Sequence, residues 1–123
     1  MWKPKSKYRN VPTVIDGLRF SSKAEAARYS ELKLLQAANQ VRWFIRQPRF
    51  DLGNGIVYVA DFLVVWNADE TTFSDTRVTV EDVKGVETDV FKLKRKLFEA
   101  QYGELTLITK RRKLTRPEAQ PHG

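Results

Sequence analysis

Three carboxylates and one lysine stand where an ordinary core would not put them. Asp61 interrupts the apolar run Ile56-Val-Tyr-Val-Ala-Asp-Phe-Leu-Val-Val-Trp66. Asp82 and Lys84 close the β-branched run Val78-Thr-Val-Glu-Asp-Val-Lys-Gly85, and their spacing puts both on one face of a strand. With the main-chain carbonyl of Val83, Asp61 and Asp82 form an oxygen-rich set suited to Mg²⁺ or Mn²⁺. Lys84 cannot ligate a hard cation as an ammonium. Beside an attacking water it can orient the nucleophile or stabilise charge developing on phosphorus. The third carboxylate, Glu25, completes the set if the first helix packs across the sheet. It also ends the capping box Ser22-Lys-Ala-Glu25, so cap and ligand both stand as readings. The plainer account of Asp82 and Lys84 is a surface ion pair on a half-exposed strand, worth little energetically. Strand alternation turns the neighbouring Glu81 to the opposite face and ranks it below Asp82, unless the register exchanges them.

These residues need elements to hold them. Val14 to Phe20 reads as a small hairpin, since Asp16-Gly17 suits a type I′ turn. A helix follows from Ser22, with Ala24, Ala27, Leu32, Leu34, Leu35 and Ala38 on its apolar face and Asn39 as its stop. Val41 to Pro48 reads as a strand that Pro48 confines to an edge or ends, and Phe50 to Gly55 supplies a turn through Asn54-Gly55. The run from Ile56 to Trp66 reads as one strand. A polar loop from Asn67 to Thr76 joins it to the strand of Asp82, so an antiparallel connection brings the two aspartates together. A second helix runs from about Thr88 to Tyr102, with Val90, Phe91, Leu93, Leu97, Phe98 and Tyr102 toward the core. Lys94 falls on that apolar arc, which asks either for a snorkelling stem or for an ammonium reaching an acid or a phosphate. Leu105 to Thr109 is a last strand. The sum is an α/β architecture, a mixed sheet flanked by helices. One folded domain spans 11–109, between a basic arm over 1–10 and a basic tail over 110–123.

Composition narrows the chemistry. The chain of 123 residues has no cysteine, and its one histidine, His122, lies in the basic tail. Cysteine-ligated metals, disulfides and histidine-based triads are therefore excluded. No apolar run approaches the ~20 residues of a membrane span, and the start Met1-Trp-Lys-Pro-Lys5 has no signal-peptide core, so neither membrane nor export is expected. Net charge is +7, but it is unevenly laid out. Residues 1–49 carry 11 Lys/Arg against 3 Asp/Glu, residues 50–91 carry 2 against 9, and residues 92–123 carry 9 against 3. Segregated solvated faces would account for this. So would a polyanion-binding surface around an acidic metal centre, with the cation reconciling the carboxylates to a phosphodiester. Arg28, Lys92, Lys94, Arg95 and Lys96 are the candidate phosphate contacts. Gln47 can orient a ligand or contact the scissile strand, and equally reads as an ordinary edge-strand glutamine.

Asp61, about twenty residues of strand–loop–strand, Asp82-Val83-Lys84-Gly85 and an upstream helical Glu25 together resemble the PD-(D/E)XK nuclease signature. Ala60 stands where the signature has proline, which leaves the ligand in place. As a set, Ser22-Lys-Ala-Glu-Ala-Ala-Arg-Tyr29, Gln47-Pro48, Tyr58-Val-Ala-Asp-Phe62, Glu81-Asp-Val-Lys-Gly85 and Phe91-Lys-Leu-Lys-Arg-Lys-Leu-Phe98 resemble a family of small, poorly characterised phage proteins, from about Lys7 to Ile108. The resemblance implies a restriction-endonuclease-like fold and Mg²⁺-dependent DNA phosphodiester hydrolysis, with Glu25 as auxiliary ligand. Its layout is similar to phage junction-resolving endonucleases, which implies branched recombination or replication intermediates as substrate, a homodimer, and the cytoplasm of a bacterial host. Site-directed cutting, DNA end processing and non-catalytic DNA binding on the same fold are the rival expectations.

Overall fold

The computed structural model describes residues 13–67, 77–83 and 86–109. The basic arm, loop residues 68–76, Lys84, Gly85 and the basic tail lie outside the described residues. The chain begins with β1 (Thr13–Ile15) and β2 (Leu18–Phe20), paired antiparallel. Asp16 and Gly17 take φ of 52° and 74°, the left-handed pair that a type I′ turn demands. Helix α1 (Lys23–Ala37) starts at Ser22, whose hydroxyl accepts from the Glu25 amide at 3.1 Å. It stops before Asn39, which is left-handed at φ 66°.

The next four strands are two bent ones. β3 (Val41–Arg46) continues into β4 (Arg49–Gly53), and β5 (Ile56–Val59) continues into β6 (Phe62–Trp66) after the Asn54-Gly55 turn. Arg46 pairs with Phe62 and Arg49 with Val59, so a single register runs through the joint formed by Gln47, Pro48, Ala60 and Asp61. This corrects two expectations. β3 is an edge strand and Asn54-Gly55 makes the turn, both as expected, but Pro48 bends the ribbon instead of ending it, and residues 49–53 form a further strand. The run from Ile56 to Trp66 is broken at Ala60 and Asp61. The cause sits across the ribbon: Pro48 has no N–H for the ladder, and Gln47 before it takes φ 52°.

The main sheet has the order β3–β6–β7–β8, with β7 (Arg77–Glu81) antiparallel to β6 and parallel to β8 (Thr106–Ile108). Helix α2 (Asp89–Gln101) makes the crossover between β7 and β8, with Thr88 as N-cap accepting from the Phe91 amide. The fold is a mixed sheet flanked by helices, as the sequence suggested. One core lies under α1 and unites Phe20, Tyr29, Leu32 and Leu35 with Val41, Phe62, Val64 and Trp66. The other lies under α2 and unites Phe91 and Phe98 with Phe50, Leu52, Tyr58, Ala60 and Val80. Alternation along β6 and β7 serves both cores: Phe62, Val64 and Trp66 face one way, and Leu63 and Val80 the other.

Two helix faces differ from the wheel. Leu34 on α1 and Val90 and Leu93 on α2 are exposed at 60%, 65% and 59%. On α1 the buried stripe instead takes in Glu25 and Arg28 beside Ala26, Tyr29, Leu32 and Leu35. A hydrophobicity wheel sends charges outward, but these two have acceptors and donors waiting inside. No helix among the described residues is long and apolar enough to cross a membrane.

Candidate metal centre at the ribbon joint

Asp61 sits at the corner of the bent ribbon, where its backbone is tied on both sides. The Gln47 amide donates to the Asp61 carbonyl at 2.8 Å, and the Asp61 amide donates to the Glu81 carbonyl at 3.0 Å. The same joint is closed by the Ala60 amide on the Pro48 carbonyl at 3.1 Å. Its side chain turns toward the end of β7, where Oδ2 accepts the Val83 amide at 2.6 Å.

Asp82 lies one residue beyond β7 and is 3% exposed. Its amide donates to the Ile108 carbonyl of β8 at 2.9 Å, and its Oδ2 accepts the Tyr58 hydroxyl at 2.6 Å. The two aspartates meet. Burial first, then the charge of Asp82, pushes the Asp61 carboxyl up to about 7, with Glu25 adding to the rise and the Val83 amide opposing it. A hydrogen bond between the two carboxyls contributes as well. Like charges forced together in a partly dry corner favour a shared proton or a cation.

Glu25 is also drawn in. It is 4% exposed, accepts the Ser21 hydroxyl on Oε2 at 2.9 Å, and lies near enough for its charge to act on Asp61. Its amide is capped by Ser22, and it acts on Asp61 through its charge. Glu81 points the other way. Its carboxylate takes both Nε and Nη2 of Arg28, at 2.6 and 2.8 Å, beneath α1. The alternation argument that separated Glu81 from Asp82 thus matches the observed faces.

The fit to a divalent ion follows from the donors. Asp61, Asp82 and the Val83 carbonyl are all hard oxygen ligands. Among the described residues, no group of three or more Asp, Glu, His or Cys side chains is placed to hold a metal ion, so Glu25 does not close a three-carboxylate set with Asp61 and Asp82. Two carboxylates with open positions for water and phosphate oxygens is how Mg²⁺ is commonly held, because it dehydrates reluctantly.

The expected phosphate contacts divide. Arg28 is corrected: it is 2% exposed, locked to Glu81, with Nη1 3.8 Å from Glu31, and so is not a surface cation. Burial works against its charge, but the bond and charge of Glu81 prevail and hold the guanidinium above its ordinary value. Lys94 reaches neither the acidic cluster nor solvent alone; its Nζ donates to the Val57 carbonyl of β5 at 3.1 Å, pinning α2 to the ribbon. Arg95 pairs with Glu87 at 3.0 Å. Lys92 and Lys96 are exposed, as is Gln47 beside Asp61. Lys84 lies outside the described residues.

Sequence reasoning missed Tyr58 and the Arg28–Glu81 pair. Tyr58 and Asp61 are an odd number of residues apart, which assigns them to opposite faces of a straight strand. Only the break at Ala60 and Asp61 lets both reach Asp82. The signal for Arg28 was its place one turn after Glu25 on the same helix, which a charge-outward wheel hides.

Comparison with known proteins places the chain in a family: residues 5–116 match the model of the DUF1064 family, described as proteins of unknown function, and the chain belongs to it. No curated protein and no solved structure matches the chain significantly.

Proposed function

We propose that this member of the DUF1064 family is a divalent-metal-dependent DNA endonuclease of the PD-(D/E)XK type. The observation that carries the reading is the convergence of Asp61 and Asp82, from a ribbon joint and a strand end, with the Val83 main chain between them. A structural role gives no reason to bury two carboxylates against each other. A metal-dependent phosphodiesterase does.

Asp61, Asp82 and the Val83 carbonyl would hold Mg²⁺, with Mn²⁺ as a substitute and Glu25 in support. The ion, when bound, supplies electrophilic polarisation of the scissile phosphate and a more acidic water. The chain's own residues do the rest. The Val83 amide orients Asp61 by holding Oδ2, and Tyr58 and the Ile108 carbonyl fix Asp82. Lys84 would stand beside the attacking water and stabilise the charge that develops on the phosphoryl oxygens. Exposed Lys92 and Lys96 on α2 would engage flanking phosphates, and Gln47, exposed at the joint, would contact the scissile strand. Branched DNA is the favoured substrate, since neither helix is a free base-reading element: α1 is packed on the sheet and α2 is pinned to the ribbon. A homodimer acting in a bacterial cytoplasm fits that substrate.

The test is cleavage. Labelled four-way junction, flap, single-stranded and linear duplex DNA are incubated with protein in Mg²⁺ and in Mn²⁺, beside Asp61→Ala, Asp82→Ala and Lys84→Ala. Wild type should cut junction or flap preferentially, and each variant should lose at least about 100-fold, as removal of a principal electrostatic group does. Binding without cutting by wild type in both metals would replace the enzyme with a DNA-binding protein. Equal cutting by Asp82→Ala would remove the assigned site.

A further inference from the structure

Tyr58 has a hydroxyl that its packing does not explain. Its ring lies in the α2 core, with centroids 6.2 Å from Phe50, 6.0 Å from Phe91 and 5.7 Å from Phe98, and the residue is 3% exposed. Phenylalanine would fill the same space without carrying a hydroxyl out of water, a transfer that disfavours folding unless a partner is met. The partner is Asp82 Oδ2, at 2.6 Å, within the range of a short charge-assisted bond. A phenol keeps its proton at neutral pH, so Tyr58 is the donor in this bond.

We propose that Tyr58 is the positioning residue of the metal site: its hydroxyl fixes the rotation of the Asp82 carboxylate and so sets the affinity for the divalent ion. This rests on the nuclease reading above. The geometry supports it from two directions. Asp82 is held at its amide by the Ile108 carbonyl and at Oδ2 by Tyr58, so neither its backbone nor its side chain is left to turn freely. Tyr58 in turn is on β5, the strand that leads into Asp61, so one short segment of chain sets both ligands. Groups that hydrogen-bond to metal ligands commonly matter 10- to 100-fold in affinity.

The experiment titrates Mn²⁺ into full-length wild type, Tyr58→Phe, Asp82→Asn and the Tyr58→Phe/Asp82→Asn double variant by calorimetry, without DNA, and records thermal melts alongside. Tyr58→Phe should weaken Mn²⁺ binding at least about tenfold, while the melt stays cooperative with a Tm lowered by the loss of one charge-assisted bond. Added to Asp82→Asn it should cost little more, because the carboxylate it positions is gone. In cleavage assays Tyr58→Phe should lower kcat at limiting metal, recover at high metal, and leave KM for DNA unchanged. If Tyr58→Phe does not fold, 4-aminophenylalanine and 4-methylphenylalanine at position 58 make the comparison, since they match in volume and differ in the donor. The amino form should keep the wild-type affinity and the methyl form should lose it. Unchanged Mn²⁺ affinity in Tyr58→Phe, or equal affinity in the two analogues, would overturn the proposal while leaving the nuclease reading intact. Absence of Mn²⁺ binding by wild type would overturn both.

Discussion

Replacing Glu81 with leucine would leave the Arg28 guanidinium buried beneath α1 without its counter-ion. The pair is held by two bonds, at 2.6 and 2.8 Å, and its side chains are 3% and 6% exposed. Charge-assisted bonds contribute roughly 1.5–3 kcal/mol each, so losing both predicts about 3–6 kcal/mol. Measured losses on breaking one side of buried pairs, about 3–5 kcal/mol, fall in that range. In a domain of this size 1 kcal/mol moves Tm by roughly 4–8 °C, so Glu81→Leu should lower Tm by at least about 12 °C. The assay is denaturant unfolding followed by tryptophan fluorescence, for which buried Trp66 is a reporter close by: its indole donates to Thr79, two residues before Glu81 on β7. The double replacement Arg28→Met/Glu81→Leu removes the stranded charge and should regain most of the loss. A cost below about 1 kcal/mol for Glu81→Leu alone would refute the reasoning, since it would mean the guanidinium reaches water and behaves as a surface pair. The double variant carries a second expectation. Arg28 lies one turn after Glu25 and Glu81 directly before Asp82, so the pair ties together the segments that carry two carboxylates of the proposed site. A folded double variant should therefore bind Mn²⁺ more weakly than wild type.

Three further outcomes are expected. Asp61 has its carboxyl raised from 3.8 to about 7, so the folded state holds the proton more tightly than the unfolded chain. That contribution is complete below about pH 3.8 and is lost as pH rises to about 7. The full shift corresponds to about 4 kcal/mol, which partial exposure of Asp61 reduces to about 2 kcal/mol; Asp61→Asn should flatten the metal-free stability profile between pH 4 and 7, and an unchanged profile would contradict the raised carboxyl. Gln47→Gly relieves a left-handed backbone at φ 52° that disfavours a side chain by about 1 kcal/mol. It should match or exceed wild type in thermal melts yet cleave more slowly, and normal cleavage would remove Gln47 from the site. Lys92→Gln/Lys96→Gln should weaken DNA binding uniformly across substrates and shallow its log–log salt dependence by about 1.8; an unaltered slope would exclude α2 from the DNA surface.

Much of this architecture is legible from local chemistry. Asp16-Gly17 dictated a turn, Ser22 a helix start, Thr88 to Tyr102 a second helix, and alternation separated Asp82 from Glu81. What local chemistry could not reveal is where two strands bend together. Pro48 and Asp61 are distant in sequence, and the consequence of a missing N–H appears on the strand opposite. Propensity therefore reads Ile56 to Trp66 as continuous, and misses that Tyr58 and Asp61 share a target. The helix faces failed for a related reason: hydrophobicity leaves Glu25 at the edge of the apolar face, sends Arg28 outward and Val90 and Leu93 inward, whereas partners elsewhere in the fold decide who is buried.

The carboxylates also divide between the two cores. Glu25 belongs to the helix that packs one face of the sheet, Asp82 is tied through Tyr58 to the aromatic cluster on the other, and Asp61 stands at the corner between them. Such a site is a logical conjunction, present only when both layers are folded. A divalent ion bound there, as proposed, would recognise the native chain and none of its half-folded states, so its binding free energy would become cooperativity. On the proposed reading, loosening either layer would disarm the nuclease before the chain unfolds.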